Sequence, residues 1–241
     1  MITLLTYAAA FGEPAASPFC VKAIWLLNMS GQQWVREDIA APRGMPKKKL
    51  PAIRHNDTLI PDSDNIRSHL ESLGADFDAG LSDMEKATSR AFIRMAEEHL
   101  YFHIVMDRWG NDDVWPIIRD EYFKMIPKLL LGFITNKLRK ACLQGMNGQG
   151  VGRLSQQERM DRIEPDLKAI TTRLWHGPFL FGDTPTAADV SVAAMLGNMR
   201  ATPGKSPLKV RIAEDEILCR YLDRMQDRMN APIAASVSLC A

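Results

Sequence analysis

The pattern of strand and helix signals changes once along this sequence, near residue 75. Before that point strand and helix signals alternate, with a β-type run over 2–7, a helix over 18–29, a strand over 34–39, a hairpin over 51–60 and a helix over 63–73. After it, apolar residues recur at helical spacing and strand signals are lacking. The sequence therefore predicts a small α/β module followed by an all-helical one.

A small, acidic, loop-like segment separates the two modules at residues 74–83. We place the linker at 76–82, the N-terminal domain at 1–75 and the C-terminal domain at 83–241. A chain of 241 residues is long enough to give each of two small domains a buried core. In the helical half, four glycines between 145 and 152 predict a flexible connection.

The composition excludes several classes of partner. The formal net charge is +1, so no global field attracts nucleic acid or an anionic membrane. We see no signal-peptide pattern and no apolar run long enough to span a bilayer. The four cysteines, at 20, 142, 219 and 240, show no paired spacing, which fits a reducing compartment. We therefore expect a cytoplasmic protein that has no membrane span and binds no nucleic acid.

The first candidate site is the run Ser17-Pro18-Phe19-Cys20, where the first strand gives way to the first helix. Pro18 suits the first helical turn, which places Ser17 at the N-cap. A helix N-terminus stabilises a thiolate or alkoxide through its dipole and its unpaired N–H groups. Two interpretations stay open. Ser17 is either a simple cap above a buried Cys20, or its hydroxyl donates to a thiolate and lowers the pKa of that sulfur.

The second candidate is Leu50-Pro51, where a proline begins a strand. If the bond between them is cis, the N–H and C=O groups of Leu50 turn outward and can pair with an extended peptide. The alternative is an ordinary trans proline at a strand start. The sequence alone leaves both open.

The third candidate is Asp62-Ser63, at the start of a predicted helix. Such a start presents N–H groups and a hydroxyl to a carboxylate, and Asp62 can accept from an ammonium group. An α-amino acid head group needs both kinds of contact. The alternative is a plain helix cap.

These three motifs, in this order, resemble those of the glutathione transferase superfamily. The helical half agrees, because the segment 182–189 looks like the one that begins a helix in that superfamily, with Thr186 and Asp189 as a capping box. The segments 11–20 and 46–51 look most like the metaxin and failed-axon-connections branch, which also has bacterial members. The resemblance implies a thioredoxin-like α/β domain followed by an all-α domain.

The resemblance implies that one side chain activates the sulfur of glutathione, and it offers three. By alignment to the helix, Ser17 matches the residue of the serine and cysteine classes. Cys20 falls on the second position of a thioredoxin-like C-x-x-C pattern. By alignment to the strand, Tyr7 matches the hydroxyl of the tyrosine class. The segment 8–16 is longer than in typical transferases, so we order the candidates Ser17, Cys20, Tyr7.

The resemblance also implies residues that hold glutathione along its length. Lys49 would approach the glycyl carboxylate, and Leu50, beside Pro51, would pair with the cysteinyl main chain. The γ-glutamyl end would be held by the residues that begin the second helix, which are Asp62, Ser63 and Asp64, the last of them acting across a dimer interface.

The function implied is transfer of glutathione, as co-substrate, to a small apolar electrophile by a homodimer that needs no metal. Two other functions stay open. One is a thiol-transferase or reductase that depends on Cys20. The other is a non-catalytic adaptor that keeps the fold as an interaction surface.

Overall fold

A computed structural model describes residues 1–230 of the chain. Residues 231–241, which include Cys240 and the end of the predicted C-terminal domain, lie outside the described residues. The first part of the chain holds all the strands of this range, in the order β1 (Ile2–Thr6), α1 (Pro18–Met29), β2 (Trp34–Asp38), β3 (Ala52–His55), β4 (Thr58–Pro61) and α2 (Ser63–Ser72).

The four strands form one sheet in the order β2-β1-β3-β4. β1 pairs in parallel with β2 and antiparallel with β3, and Leu5 lies opposite Ala52. β3 pairs antiparallel with β4, and Ala52 also lies opposite Pro61. The end of β1, the start of β3 and the end of β4 therefore meet at one end of the sheet. α1 begins there too, because it is the crossover that returns the chain to the parallel strand β2.

The turn between β3 and β4 is the predicted hairpin. Asn56 and Asp57 have φ angles of 48° and 64°, so both central residues are left-handed. A two-residue turn of this kind matches the twist of the flanking strands, and Asn and Asp tolerate the conformation better than most residues do. The hairpin prediction is confirmed.

The second part of the described chain is helical. Its α-helices are α3 (Asp83–Met95), α4 (Tyr101–Val105), α5 (Trp115–Tyr122), α6 (Lys128–Gln149), α7 (Gln156–Leu174), α8 (Ala187–Arg200), α9 (Pro207–Ala213) and α10 (Glu216–Asn230). Two π-helical turns, Ala96–Leu100 and Met106–Gly110, flank α4. The predicted fold class, a small α/β domain followed by a helical one, is confirmed. None of the helices within residues 1–230 is both long and apolar enough to cross a lipid bilayer.

The predicted flexible connection at 145–152 is wrong over most of its length. α6 continues through Gly145 and Gly148 and ends at Gln149, where Gly150 takes a left-handed φ of 107°. An isolated glycine costs a helix only about 1 kcal/mol relative to alanine, so neighbouring good helix formers carry the helix through.

The core lies between the sheet and the helical part, with α1 and α8 at its centre. α1 packs against α8, and nine of the twelve residues of α1 are buried. α8 is buried from Ala187 to Met199. A helix that is apolar around its whole circumference is covered on all sides. The capping box predicted for α8 is present, since Asp189 accepts from the Thr186 N–H at 2.8 Å.

Candidate active site

Ser17 occupies the N-cap of α1, with an extended φ of −109°, but its side chain makes no capping hydrogen bond. The N–H groups of Ser17 and Phe19 have no hydrogen-bond partner among residues 1–230. The hydroxyl of Ser17 is half-buried, and two main-chain donors are free at the positive end of the helix dipole. This arrangement agrees better with an anion-binding role for Ser17 than with a simple cap.

Cys20 lies one turn further along α1 and is fully buried. Burial raises the pKa of the Cys20 thiol, although hydrogen bonds from Thr6, the Tyr7 main chain and Ser17 oppose that effect. A reactive cysteine needs solvent access and a lowered pKa. Cys20 shows neither of these properties.

Tyr7 follows β1 at the same end of the sheet and is half-buried. Burial raises the pKa of Tyr7 to about 12, and the neighbouring Cys20, Tyr101 and Tyr122 add to the rise. The phenol therefore keeps its proton at neutral pH. It can donate a hydrogen bond but cannot act as a phenolate.

The Leu50–Pro51 peptide bond is cis. The Leu50 side chain is buried, whereas neither its N–H nor its C=O has a hydrogen-bond partner in the described part of the chain. Pro51 O accepts from the Asp62 N–H at 3.1 Å, which brings the start of α2 beside this edge. A main-chain donor and acceptor are thus free at the end of the sheet where α1 begins.

Asp62 is the N-cap of α2, with an unusual φ of 79°. Its Oδ1 accepts from the Asp64 N–H at 2.9 Å, so Asp62 caps the helix. The N–H groups of Ser63 and Asn65 have no partner within residues 1–230, and the exposed Asp62 carboxylate keeps further acceptor positions. A cap and a site for an α-amino acid head group are therefore compatible here.

Asp64 has a different environment from the one expected of a glutathione ligand. Its Oδ1 accepts from Lys22 Nζ at 2.8 Å, and its Oδ2 accepts from Arg94 and from Arg90. Burial alone would raise the pKa of Asp64, but Lys22, Arg94 and Arg90 together lower it to about 2. The carboxylate thus joins α1 and α2 to α3 in an ion-pair network.

Lys49 lies just before the free edge, after a 3-10 turn over Pro46–Lys48. Its side chain is exposed and makes no ion pair with any residue that the structure describes. Its ammonium group is therefore available for an anionic ligand bound along Leu50.

Two arginines that the sequence did not single out hold the long segment between β1 and α1. Arg36 in β2 donates to Pro14 O at 2.8 Å and to Tyr7 O at 3.0 Å. Arg108 in the second π-helical turn donates to Ala16 O at 3.1 Å. These pairings join residues 22, 29 and 92 positions apart, so no local motif could have revealed them.

Aromatic side chains from both parts of the fold meet beside the first turn of α1. Phe19 packs edge-on against Tyr101, with ring centroids 4.8 Å apart, and Phe11 lies 6.0 Å from Tyr122. Such a frame suits an apolar ligand next to Ser17. Within residues 1–230 no group of three or more His, Cys, Asp and Glu side chains is placed to hold a metal ion.

These features define a class of protein with a thioredoxin-like domain, a free peptide-pairing edge and a helical domain beside it. Family models for the glutathione S-transferase N-terminal domain and C-terminal domain match residues 18–115 and 155–224. The chain belongs to the glutathione S-transferase superfamily. At this level the predicted function, a glutathione transferase-like enzyme, is confirmed, and glutathione is the co-substrate of the family.

Similar proteins include an isoprene-epoxide glutathione S-transferase of Rhodococcus, 31% identical over 94% of this chain and 98% of that protein. The Drosophila protein Failed axon connections is 28% identical over 77% of this chain and 47% of its own length. Mouse Metaxin-1 is 23% identical over 90% of this chain and 72% of its own.

Among solved structures, glutathione transferase GSTFuA3 of Phanerochaete chrysosporium superposes with a TM-score of 0.64 at 18% identity, over 93% of this chain and 95% of that one. The likeness supports the fold.

Proposed function

We propose that the protein adds the sulfur of glutathione to a small apolar electrophile, and that epoxides are the class to test first. The observation that carries the proposal is that two sets of free groups share one end of the sheet. The free N–H of Ser17 is there, beside the Ser17 hydroxyl, and so are the free N–H and C=O of Leu50.

In this proposal glutathione binds as an added strand along Leu50. Its cysteinyl N–H and C=O pair with the C=O and N–H of Leu50, as peptides do at other open sheet edges. The exposed ammonium of Lys49 then meets the glycyl carboxylate. The N-terminus of α2, with Asp62 and Ser63, receives the γ-glutamyl head group. Asp64 supports this end through its ion pairs rather than by direct contact.

The Ser17 hydroxyl donates to the glutathione sulfur, and the first turn of α1 stabilises the thiolate that forms when the thiol loses its proton. The thiolate attacks one carbon of the epoxide and forms a carbon–sulfur bond. The carbon–oxygen bond breaks, and its electron pair stays on the oxygen. That oxygen then takes a proton from water, which balances the proton that the thiol released to water. Epoxides are favoured because the Rhodococcus relative is named for an epoxide substrate. The apolar frame of Phe19 and Tyr101 suits a small hydrocarbon group.

The test compares Ser17→Ala, Cys20→Ala and Tyr7→Phe, each assayed with glutathione and a short aliphatic epoxide by loss of free thiol and by product mass. Loss of one donor to the reacting anion lowers turnover by roughly a hundredfold or more, so we expect that loss in Ser17→Ala. We expect Cys20→Ala to keep most activity because its thiol is buried.

Other results would favour the other functions. Activity that depends on Cys20, together with reduction of glutathione mixed disulfides, would identify a thiol-transferase. If calorimetry detects no heat when glutathione is added to the folded protein, the enzymatic proposal fails and an adaptor remains.

We also propose that the protein is a homodimer in the cytoplasm, on the resemblance to the superfamily. Sedimentation equilibrium at micromolar concentration tests the first part, and fractionation of the source cells tests the second.

A further inference from the structure

Arg108 is a buried cation that has no carboxylate partner. Its side chain is 4% exposed, and no carboxylate oxygen of residues 1–230 lies within ion-pair distance of it. All of its hydrogen bonds go to neutral oxygens, with Nε donating to Thr202 Oγ1 at 3.1 Å, Nη2 to Asn198 O at 2.6 Å, and Nη1 to Ala16 O at 3.1 Å and Tyr122 Oη at 2.8 Å.

A charge in this position is costly, because burial removes water and no opposite charge replaces it. Neutral oxygens orient their dipoles toward the guanidinium, but they do not cancel its net charge. Its field therefore acts on neighbouring groups with little screening.

Arg108 contacts the active site through the peptide group between Ala16 and Ser17. Ala16 O accepts from Arg108 and also from Tyr122 Oη at 3.1 Å. Hydrogen bonds to the carbonyl of a peptide polarise its N–H, which becomes a stronger donor. In this peptide the N–H is that of Ser17, one of the free donors at the start of α1.

We propose that Arg108 is a positioning residue of the active site, which stabilises the glutathione thiolate through the Ala16–Ser17 peptide and through its uncancelled charge. This inference rests on the proposed function and adds to it a residue from the helical domain.

The other titratable groups near Arg108 are four neutral side chains and two carboxyl groups that form no ion pair with it. Burial raises the pKa of Tyr7, Cys20, Tyr101 and Tyr122, so these groups stay uncharged at neutral pH. Burial also raises the pKa of the carboxyl groups of Glu13 and Asp107, although Arg108 opposes the rise in both. Neither carboxyl group forms an ion pair with Arg108.

Arg36 provides a matched comparison. It also donates to main-chain oxygens of the segment between β1 and α1. However, its Nε lies 2.6 Å from Asp38 Oδ1 and its side chain is 30% exposed. Its charge is therefore ion-paired and screened by solvent. If Arg108 acted only by holding the segment in place, the two arginines would have similar effects on the sulfur.

The experiment measures the pKa of the thiol of bound glutathione, followed as thiolate absorbance near 240 nm in the binary complex without electrophile. Arg108→Gln keeps hydrogen-bond donors but removes the charge. A cation close to an ionising group lowers its pKa by about one or more, so we expect the pKa of the bound thiol to rise by about one in Arg108→Gln. We expect a smaller rise in Arg36→Gln, because the charge of Arg36 also acts on Cys20 but is paired with Asp38. S-methylglutathione has no thiol and cannot form a thiolate. Its affinity should therefore stay within about threefold of wild type in both variants, because the change in pKa reports only on the thiolate.

The outcomes separate this inference from the proposed function. If wild-type protein binds glutathione but does not lower the pKa of its thiol below that of free glutathione, the proposed function fails. If wild type forms thiolate and Arg108→Gln does so at the same pH, the role of Arg108 is overturned. Should Arg108→Gln not fold, Tyr122→Phe decides, because it removes the second donor to Ala16 O. A raised thiol pKa in Tyr122→Phe supports the route through the Ala16–Ser17 peptide, and an unchanged one overturns that route.

Discussion

Lys22 in α1 offers the sharpest test of how the two parts of the molecule are joined. Its ammonium is 1% exposed and donates to Glu97 Oε1 at 2.6 Å and to Asp64 Oδ1 at 2.8 Å. Glu97, in the first π-helical turn, is 4% exposed and also accepts from Ser191 Oγ at 2.8 Å. Substitution of Lys22 by Met keeps the length of the side chain and removes the charge.

The cost of Lys22→Met falls mainly on Glu97. Asp64 keeps Arg90 and Arg94 and remains partly exposed. The cation that Glu97 keeps among residues 1–230 is Arg94, whose Nη1 lies 3.7 Å from its Oε2. Removal of one partner from a buried ion pair costs about 3–5 kcal/mol, because the other charge stays buried. The remaining contact with Arg94 places our expectation near the lower value, at about 3 kcal/mol.

The assay is urea unfolding followed by circular dichroism, with the slope m checked for a change in the unfolding mechanism. We expect Lys22→Met combined with Glu97→Gln to cost less than the sum of the single changes by about 1–2 kcal/mol, since a neutral amide needs no cation. Arg220→Met, which breaks an exposed pair with Glu216, is the control and should leave stability unchanged. A cost of Lys22→Met below about 1 kcal/mol, or an additive double variant, would refute the reasoning.

Three further predictions concern other buried or paired groups. Ionic partners hold the pKa of Asp64 at about 2, below its ordinary value of 3.8. The stability that Asp64 contributes is therefore present above about pH 4 and is lost as the pH falls toward 2. The difference in urea midpoint between wild type and Asp64→Asn should disappear over that range. Asp189→Ala should destabilise the fold by about 2–4 kcal/mol in the same assay, because it leaves the buried Leu180 and Thr186 N–H groups without their 2.8 Å acceptor. In the native protein Cys20 and Cys142 should resist iodoacetamide at pH 8, because burial raises the pKa of both thiols, that of Cys142 to about 11. Rapid alkylation of either cysteine, mapped by mass spectrometry, would contradict this.

The features that the sequence predicted are those that a few neighbouring residues determine. The left-handed turn at Asn56 and Asp57 depends on side chains that tolerate that conformation. The capping box at Thr186 depends on an acidic residue three positions later, Asp189. The order of strands and helices follows from periodicity in the same way.

The features that the sequence did not predict are contacts between distant residues. Lys22 meets Asp64 and Glu97 across separations of 42 and 75 residues, and Arg108 meets Ala16 across 92. A lysine in a helix normally indicates a solvated face, and only the position of α8 and the π-helical turns makes Lys22 a buried cation. The sequence shows that the segment before Ser17 is long, but the two arginines that fix it lie in other elements.

The division into two domains therefore describes the topology better than the energetics. α1 belongs to the sheet by sequence, yet Trp25 and Leu26 are buried in a helix that packs against α8, and burial of one such side chain contributes about 2 kcal/mol. A chain that ended at the predicted linker would leave Lys22 without Glu97 and Ala16 O without Arg108. The helical domain thus completes the end of α1 at which we place the sulfur, and the hydroxyl of Ser17 depends on both parts of the fold for its position.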